Sequence, residues 1–119
     1  MNTNPKTRTY DLHSESVSQF GLQLFEPQVD ALYNLDTTAL LVGAPRRSIL
    51  VYCRWGMEHP EVDETYGGWY FDAAAIRALR RIEYLRTVQG INLVGIRMIM
   101  ALLEQLEHSR AERRFQDRL

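Results

Sequence analysis

The sequence predicts a mostly α-helical protein with a small β hairpin and a long C-terminal helix. Three observations support this prediction: two short helical patterns separated by a tight turn, a Gly-Gly turn beside a run of aromatic residues, and two apolar stripes at helical spacing towards the C-terminus. The chain has 119 residues, of which 45% are hydrophobic and 24% charged. These values fit one domain with an average surface.

The two short helical patterns predict a helix-turn-helix. Asp36 is expected to cap the first helix and Gly43 to end it. Pro45 suits the start of a second helix over residues 46–55, which ends at Gly56. Two short helices joined by a tight turn form a helix-turn-helix.

The segment 57–72 predicts a small hairpin, which would form a wing beside the two helices. Gly67 and Gly68 supply its turn, and the aromatic residues that follow favour a strand. Because a strand alternates its faces, either Trp69 or Phe71 is expected to seal the wing against the helices. The other face is a candidate contact surface.

Two longer helices are predicted after the wing. The third helix runs from Ala73 to about Gln89, with Asp72 as its cap and Gly90 at its end, and Asn92 caps the last helix. The stripe of the third helix comprises Ile76, Leu79, Ile82, Leu85 and Val88. The stripe of the last helix comprises Ile96, Ile99, Met100, Leu103 and Leu106. Beyond this stripe we expect a solvated, fraying end.

The chain divides into three predicted segments. Residues 1–32 form an N-terminal extension of unknown role, with a short extended arm around Leu22 and Leu24. Residues 33–92 form the winged helix-turn-helix with the third helix, and 93–119 form a C-terminal helix for dimerisation or packing. The last stripe is too long for so small a core, so we expect a homodimer. The alternative is that the third helix and the N-terminal extension cover this stripe.

Composition argues against several classes of function. Cys53 is the single cysteine, which excludes an intrachain disulfide, and its place beside Ile49 on the inward face favours a buried thiol. His13, His59 and His108 lie in three different segments, so we expect no metal, no cofactor and no catalysis. The absence of a membrane span or signal-peptide pattern predicts a cytoplasmic protein.

The charge pattern of residues 36–72 disfavours DNA binding. Three arginines stand against six carboxylates there, a net charge of −3. The wing contains four of these carboxylates, which would repel a phosphate backbone: Glu58, Glu61, Asp63 and Glu64. A basic protein surface complements them better, although an acidic run also serves simply to solvate a loop.

Residues 33–107 resemble the MerR superfamily. The stretch YNLDTTALLVGAPRRSILVYCRWGM is similar to its opening helix-turn-helix, and GGWYFDAAAIRALRRIEYLRTVQGINLVGIRMIMALLEQLE is similar to its wing and the helices that follow. In the DNA-binding members the second helix carries an arginine followed by tyrosines, and the wing carries Gly-Tyr-Arg. The corresponding positions here hold Leu50, Val51 and Trp69. Basic positions of the pattern are matched by Arg46, Arg47 and Arg54.

With these departures from the DNA-binding pattern, the sequence resembles the chaperone-modulator (CbpM-like) subfamily. The similarity lies in WYFD at 69–72 ahead of a helix, GINLVG at 90–95 after it, and the Leu pair at 102–103. Members of that subfamily bind the J domain of CbpA, a DnaJ-type co-chaperone, and inhibit it. The related heat-shock repressor HspR is an alternative, but its wing keeps arginines that this chain lacks.

Two functions are therefore predicted. The first is a CbpM-like protein that binds and regulates a DnaJ-type co-chaperone through its J domain. The alternative is a MerR-family DNA-binding transcriptional regulator, with weak DNA binding expected because apolar residues replace polar donors on the second helix. The partner-binding residues of the first function are Glu58, Glu61, Asp63, Glu64, Leu50, Val51 and Trp69. The DNA-binding residues of the alternative are Arg46, Arg47 and Arg54.

Overall fold

The computed structural model describes residues 26–118. The helices in this range are α1 (Leu35–Val42), α2 (Arg46–Arg54), α3 (Ala73–Thr87) and α4 (Leu93–Asp117). The strands are β1 (Tyr33–Asn34), β2 (Glu61–Val62) and β3 (Trp69–Phe71). The chain forms two compact units, the first ending at Glu83 and the second beginning at Tyr84. This arrangement confirms the predicted mostly α-helical fold with a winged helix-turn-helix.

Helix α1 begins two residues earlier than predicted. Its N-cap is Asn34, whose Oδ1 accepts a hydrogen bond from the backbone N–H of Thr37 at 2.8 Å. The predicted cap, Asp36, lies in the first turn instead, where a negative charge is favourable for the helix dipole. Asn and Asp are about equally good caps, so residue type alone could not choose between them. Gly43 ends the helix in the left-handed conformation, with φ of 79°, which confirms its prediction.

The wing is a β hairpin extended by a third strand. Strand β3 lies between β1 and β2 and pairs antiparallel with both, with Tyr33 opposite Phe71 and Val62 opposite Trp69. Phe71 is buried and Trp69 is partly exposed, so Phe71 is the residue that seals the wing. Strand β1 was not predicted, because a strand of two residues is too short to show an alternating pattern.

The core of the first unit is built mainly from large apolar side chains of β1, α2, β3 and α3. Its fully buried members are Tyr33, Ile49, Tyr52, Phe71, Ile76, Leu79 and Ile82. Helix α3 contributes Ile76, Leu79 and Ile82 at the predicted spacing. The predicted cap of α3, Asp72, accepts a hydrogen bond from the backbone N–H of Ala75 at 2.8 Å.

The end of the predicted N-terminal extension belongs to this first unit. Pro27 and Ala31 are buried, and the backbone N–H of Gln28 donates a hydrogen bond to the hydroxyl of Tyr33 at 2.8 Å. The extended arm predicted around Leu22 and Leu24 lies outside the described residues.

The second unit is dominated by α4. Asn92 caps this helix as predicted, and its Oδ1 accepts a hydrogen bond from the backbone N–H of Gly95 at 2.8 Å. The helix continues to Asp117, so the fraying predicted after Leu106 was wrong, whereas the predicted solvation of this end is confirmed by the exposure of residues 107–118. Neither glycine nor proline follows Ile96, and nothing in the sequence therefore ends the helix earlier. None of the described helices combines the length and hydropathy needed to cross a membrane.

Candidate nucleic-acid interface

The outer face of α2 carries two exposed arginines with apolar residues between them. Ile49 and Tyr52 are buried and define the inward face of the helix. Arg47 and Arg54 lie on the opposite face and are exposed. They are seven residues apart, which corresponds to about 10.5 Å along a helix axis.

Between the two arginines, α2 presents Leu50 and Val51, which are both half-buried. Helical geometry places them three and four residues after Arg47, one turn along the same side of α2. The outer face thus combines two cations with a small apolar surface.

The third arginine of this helix is engaged elsewhere. The Arg46 Nε lies 3.0 Å from the Asp36 Oδ1, and both side chains are largely exposed. An exposed ion pair of this kind contributes little to stability. By contrast, Arg47 and Arg54 make no ion pair with any residue in the range 26–118. Of the three predicted DNA-binding residues, these two are the ones that have no ion-pair partner among the described residues.

Two polar contacts hold the helix-turn-helix on α3. The Tyr52 hydroxyl donates a hydrogen bond to the Glu83 carboxylate, which joins α2 to α3. The Arg80 Nε donates to the carbonyl oxygen of Leu41 at 2.9 Å, which joins α1 to α3. Sequence reasoning missed Tyr52, although its spacing of three residues from Ile49 places it on the inward face. Both short helices are therefore fixed against the same long helix.

Cys53 is not a reactive group in this structure. Burial raises the pKa of its thiol to about 11, and the negative charge of Glu58 acts in the same direction. The thiol is neutral at physiological pH, and a neutral thiol is a poor nucleophile. The predicted structural role of Cys53 agrees with this environment, although the side chain is half-buried rather than fully inward.

The tip of the wing is held in one conformation by Asp63. Its Oδ1 accepts hydrogen bonds from the backbone N–H groups of Thr65, at 2.9 Å, and Tyr66, at 3.3 Å. Its own backbone N–H donates to the carbonyl of Gly68 at 2.9 Å, and its carbonyl accepts from Gly67. Gly67 adopts φ of 70°, a conformation that side chains disfavour. Asp63 thus stabilises the turn in addition to carrying charge.

The wing is acidic and contains no basic counterpart. No Lys or Arg occurs between positions 55 and 76. Glu61 and Glu64 are exposed, whereas Glu58 and Asp63 are partly covered. The carboxylate of Glu58 also accepts a hydrogen bond from the backbone N–H of His59 at 3.2 Å. A negative field at the wing disfavours a phosphate backbone beside it.

The wing also exposes apolar side chains. Val62 and Trp69 are cross-strand partners, and they are 57% and 36% exposed. Tyr66, at the tip, is 85% exposed. Sequence reasoning assigned Trp69 to a contact surface and missed Val62 and Tyr66. The pairing of Val62 with Trp69 was not visible without the strand register.

The predicted partner-binding residues divide between two elements. Leu50 and Val51 belong to α2, whereas Trp69 and the carboxylates belong to the wing and the segment leading into it. Among the described residues, His59 and His108 lie in no group of three possible metal ligands. His13 lies outside the described range.

Comparison with known proteins identifies the family. A family model for the MerR HTH family of regulatory proteins matches residues 33–103, which is more than half of the chain. The structure is also similar to the crystal structure of HiNmlR, described as a MerR family regulator that lacks the sensor domain and is bound to promoter DNA. That similarity has a TM-score of 0.53 and 20% sequence identity, and it covers 72% of this chain and 79% of HiNmlR.

No curated protein matches the sequence. The structural similarity supports the fold, and the family model supports the assignment to the superfamily predicted from the sequence. The chaperone-modulator subfamily is not distinguished by either comparison and stays a prediction. The chain belongs to the MerR HTH family of regulatory proteins.

Proposed function

We propose that this protein is a DNA-binding transcriptional regulator that contacts DNA through α2. The observation that carries the proposal is the pair of exposed arginines, Arg47 and Arg54, on the outer face of the second helix of a MerR-type helix-turn-helix. That helix is the one a helix-turn-helix places in the major groove. The similarity to a regulator bound to promoter DNA supports this function better than the co-chaperone function predicted first from the sequence.

The number of cations limits how tightly one protein chain can hold DNA. Each phosphate contact made by a cation contributes to affinity and to its salt dependence. The wing has no Lys or Arg and therefore adds no such contact. Two arginines per chain therefore predict modest affinity and a shallow salt dependence for a single domain. A dimer that binds two half-sites doubles the number of contacts.

Helix α4 offers a surface for such a dimer. Ile96 is fully buried within the chain and is not available to a partner, although it belongs to the stripe predicted for dimerisation. Apart from Phe115, the exposed large apolar residues of α4 instead follow a spacing of four: Val94, Met98, Leu102 and Leu106. We place the dimer contact on this second stripe, because exposed apolar residues in a row are typical of an interface.

Sedimentation equilibrium tests the dimer. The wild type is expected to have a dimer mass at high micromolar concentration, and Met98→Glu combined with Leu102→Glu is expected to have a monomer mass. Val29→Glu, which alters an exposed apolar residue of the first unit, is the control and should stay dimeric. A monomeric wild type would remove the dimer from the proposal.

DNA binding is tested by selection from a random duplex library, followed by fluorescence anisotropy at about 150 mM salt, near physiological ionic strength. The proposal expects enrichment of one sequence that binds more tightly than a scrambled duplex. Binding that is equally weak for all duplexes would contradict it.

A second candidate function is regulation of a DnaJ-type co-chaperone through its J domain. The observation in its favour is the wing, which is acidic, lacks Lys and Arg, and exposes Trp69, Val62 and Tyr66. An apolar anchor surrounded by negative charge suits a basic protein surface. Surface plasmon resonance with the J domain of a DnaJ-type protein from the same organism is the direct test, and no response at micromolar concentration would reject this candidate.

A further inference from the structure

We propose that Leu50 and Val51 read the 5-methyl groups of thymines in the major groove, between the two contacts made by Arg47 and Arg54. The inference rests on the proposed DNA binding by α2 and adds the class of sequence that the helix prefers. Apolar side chains on a DNA-reading face argue for weak binding when only hydrogen bonds are considered. Apolar side chains strengthen binding, however, where the edge of the base also presents an apolar group.

The geometry of α2 sets the order of the contacts. Leu50 and Val51 lie between Arg47 and Arg54 along the helix, on the side opposite the buried residues Ile49 and Tyr52. The two arginines are about 10.5 Å apart along the axis, and stacked base pairs are about 3.4 Å apart. A few base pairs therefore fit between the two arginine contacts, and the apolar pair faces the bases between them.

The chemistry of the base edges identifies the bases. In the major groove, the thymine methyl is the one apolar group that the four base pairs present, and apolar side chains contact it. Guanine presents two acceptors that suit a bidentate arginine. A helix face with the order Arg, apolar pair, Arg thus favours thymines flanked by guanines or by phosphate contacts.

The two apolar side chains are held for this role. Both are half-buried, so neighbouring groups of the first unit already limit their motion. The β-branched Val51 also has one strongly preferred rotamer within a helix. The Tyr52–Glu83 hydrogen bond fixes the inward side of the same turn to α3. Little conformational freedom is left to lose when DNA binds.

Uracil substitution isolates the methyl group. Each thymine of the selected site is replaced in turn by deoxyuridine, which keeps every hydrogen-bonding group and removes only the methyl. Removal of one buried methyl from an apolar contact is expected to weaken binding about fourfold, from about 0.8 kcal/mol per buried carbon group. The loss of affinity should be confined to one or two thymines that lie between the DNA positions contacted by Arg47 and Arg54.

Variants of the protein then assign the effect to the two side chains. With Leu50→Ala and Val51→Ala, the difference between thymine and deoxyuridine at those positions should disappear, whereas the control Val62→Ala on the wing should keep it. Binding that is indifferent to deoxyuridine at every position overturns this inference while DNA binding itself stands. Absence of any sequence-selective binding overturns both. The uracil series uses the wild type, so its result does not depend on whether a variant folds.

Discussion

Helix α2 and the wing differ in charge, although both belong to the winged helix-turn-helix. The helix carries three arginines and no carboxylate. The wing and the segment leading into it carry Glu58, Glu61, Asp63 and Glu64 and no Lys or Arg. The wing exposes apolar side chains and α2 presents two half-buried ones, so the clearest contrast lies in the sign of the charge around them.

This contrast separates two kinds of partner. DNA affinity depends on cations near phosphates, so any DNA contact must be concentrated on α2. A basic protein surface is attracted to the wing and repelled by the exposed arginines of α2. The two candidate functions therefore assign the contact to different elements of the same fold, and substitutions confined to one element can distinguish them.

The largest expected effect concerns the attachment of the wing to the core. Phe71 is fully buried and pairs with Tyr33 across β1 and β3. Phe71→Ala is expected to lower the free energy of unfolding by about 3–5 kcal/mol, because it leaves a cavity where an aromatic ring was buried. Urea denaturation followed by circular dichroism measures this change.

The control for Phe71→Ala is Tyr66→Ala, which truncates an aromatic residue that is almost fully exposed on the same hairpin. Its effect is expected to stay within about 0.5 kcal/mol. If the two variants were equally stable, the wing would not unfold together with the core. The charge difference between α2 and the wing would then not be a property of one cooperative unit.

The next effect concerns DNA binding by α2. Arg47→Ala combined with Arg54→Ala is expected to weaken binding to the selected site by about 1–3 kcal/mol for each arginine that contacts a base, and to lower the salt dependence for each that contacts a phosphate. Fluorescence anisotropy over a series of salt concentrations measures both quantities.

Arg114→Ala combined with Arg118→Ala is the matched control, because it removes the same charge from exposed positions at the end of α4. The control is expected to bind DNA as the wild type does. Equal losses in the two double variants would mean that net charge, and not the face of α2, determines binding.

The sequence predicted more of the fold than of the site. Caps at Asp72 and Asn92 and the end of α1 at Gly43 were predicted correctly, because each depends on a local backbone requirement that one residue type meets well. Strand β1 was missed because two residues carry no periodicity.

The site was harder to predict because it depends on contacts between residues that are distant in the sequence. The ion pair that engages Arg46 and the hydrogen bond from Tyr52 to Glu83 join residues whose proximity exists only in the folded chain. The sequence showed the charge of α2 and of the wing correctly. It could not show that Arg46 forms an ion pair whereas Arg47 and Arg54 form none with the part of the chain that the structure describes.

A smaller effect is expected from reversing the charge of the wing. Glu61→Lys combined with Glu64→Lys should slow the association of a basic protein partner and flatten its salt dependence, with little change in dissociation, because exposed charges act mainly on encounter. The same variant should bind DNA at least as tightly as the wild type, since it removes repulsion of the phosphates.

Surface plasmon resonance with the J domain, and anisotropy with the selected DNA, measure these two effects. Glu104→Lys combined with Glu107→Lys makes the same change in charge on exposed positions of α4 and serves as the control. If the wild type binds the J domain and the wing variant associates at the same rate, the partner contacts a different surface. If it binds no J domain at all, the co-chaperone candidate is rejected.

The smallest effect tests whether the negative field of the wing reaches α2. The Cys53 thiol has its pKa raised to about 11, first by burial and second by the charge of Glu58. Its rate of alkylation by iodoacetamide at pH 8 is therefore expected to be about a hundredfold below that of the unfolded chain, and to rise about tenfold per pH unit, because only the thiolate reacts.

Glu58→Gln removes the smaller cause of the raised Cys53 pKa and should lower this pKa slightly, which shifts the pH–rate curve towards neutral pH, whereas Glu104→Gln should leave the curve unchanged. A curve that does not move with Glu58→Gln would show that the charges of the wing are screened at α2, and the two regions would then be electrostatically independent.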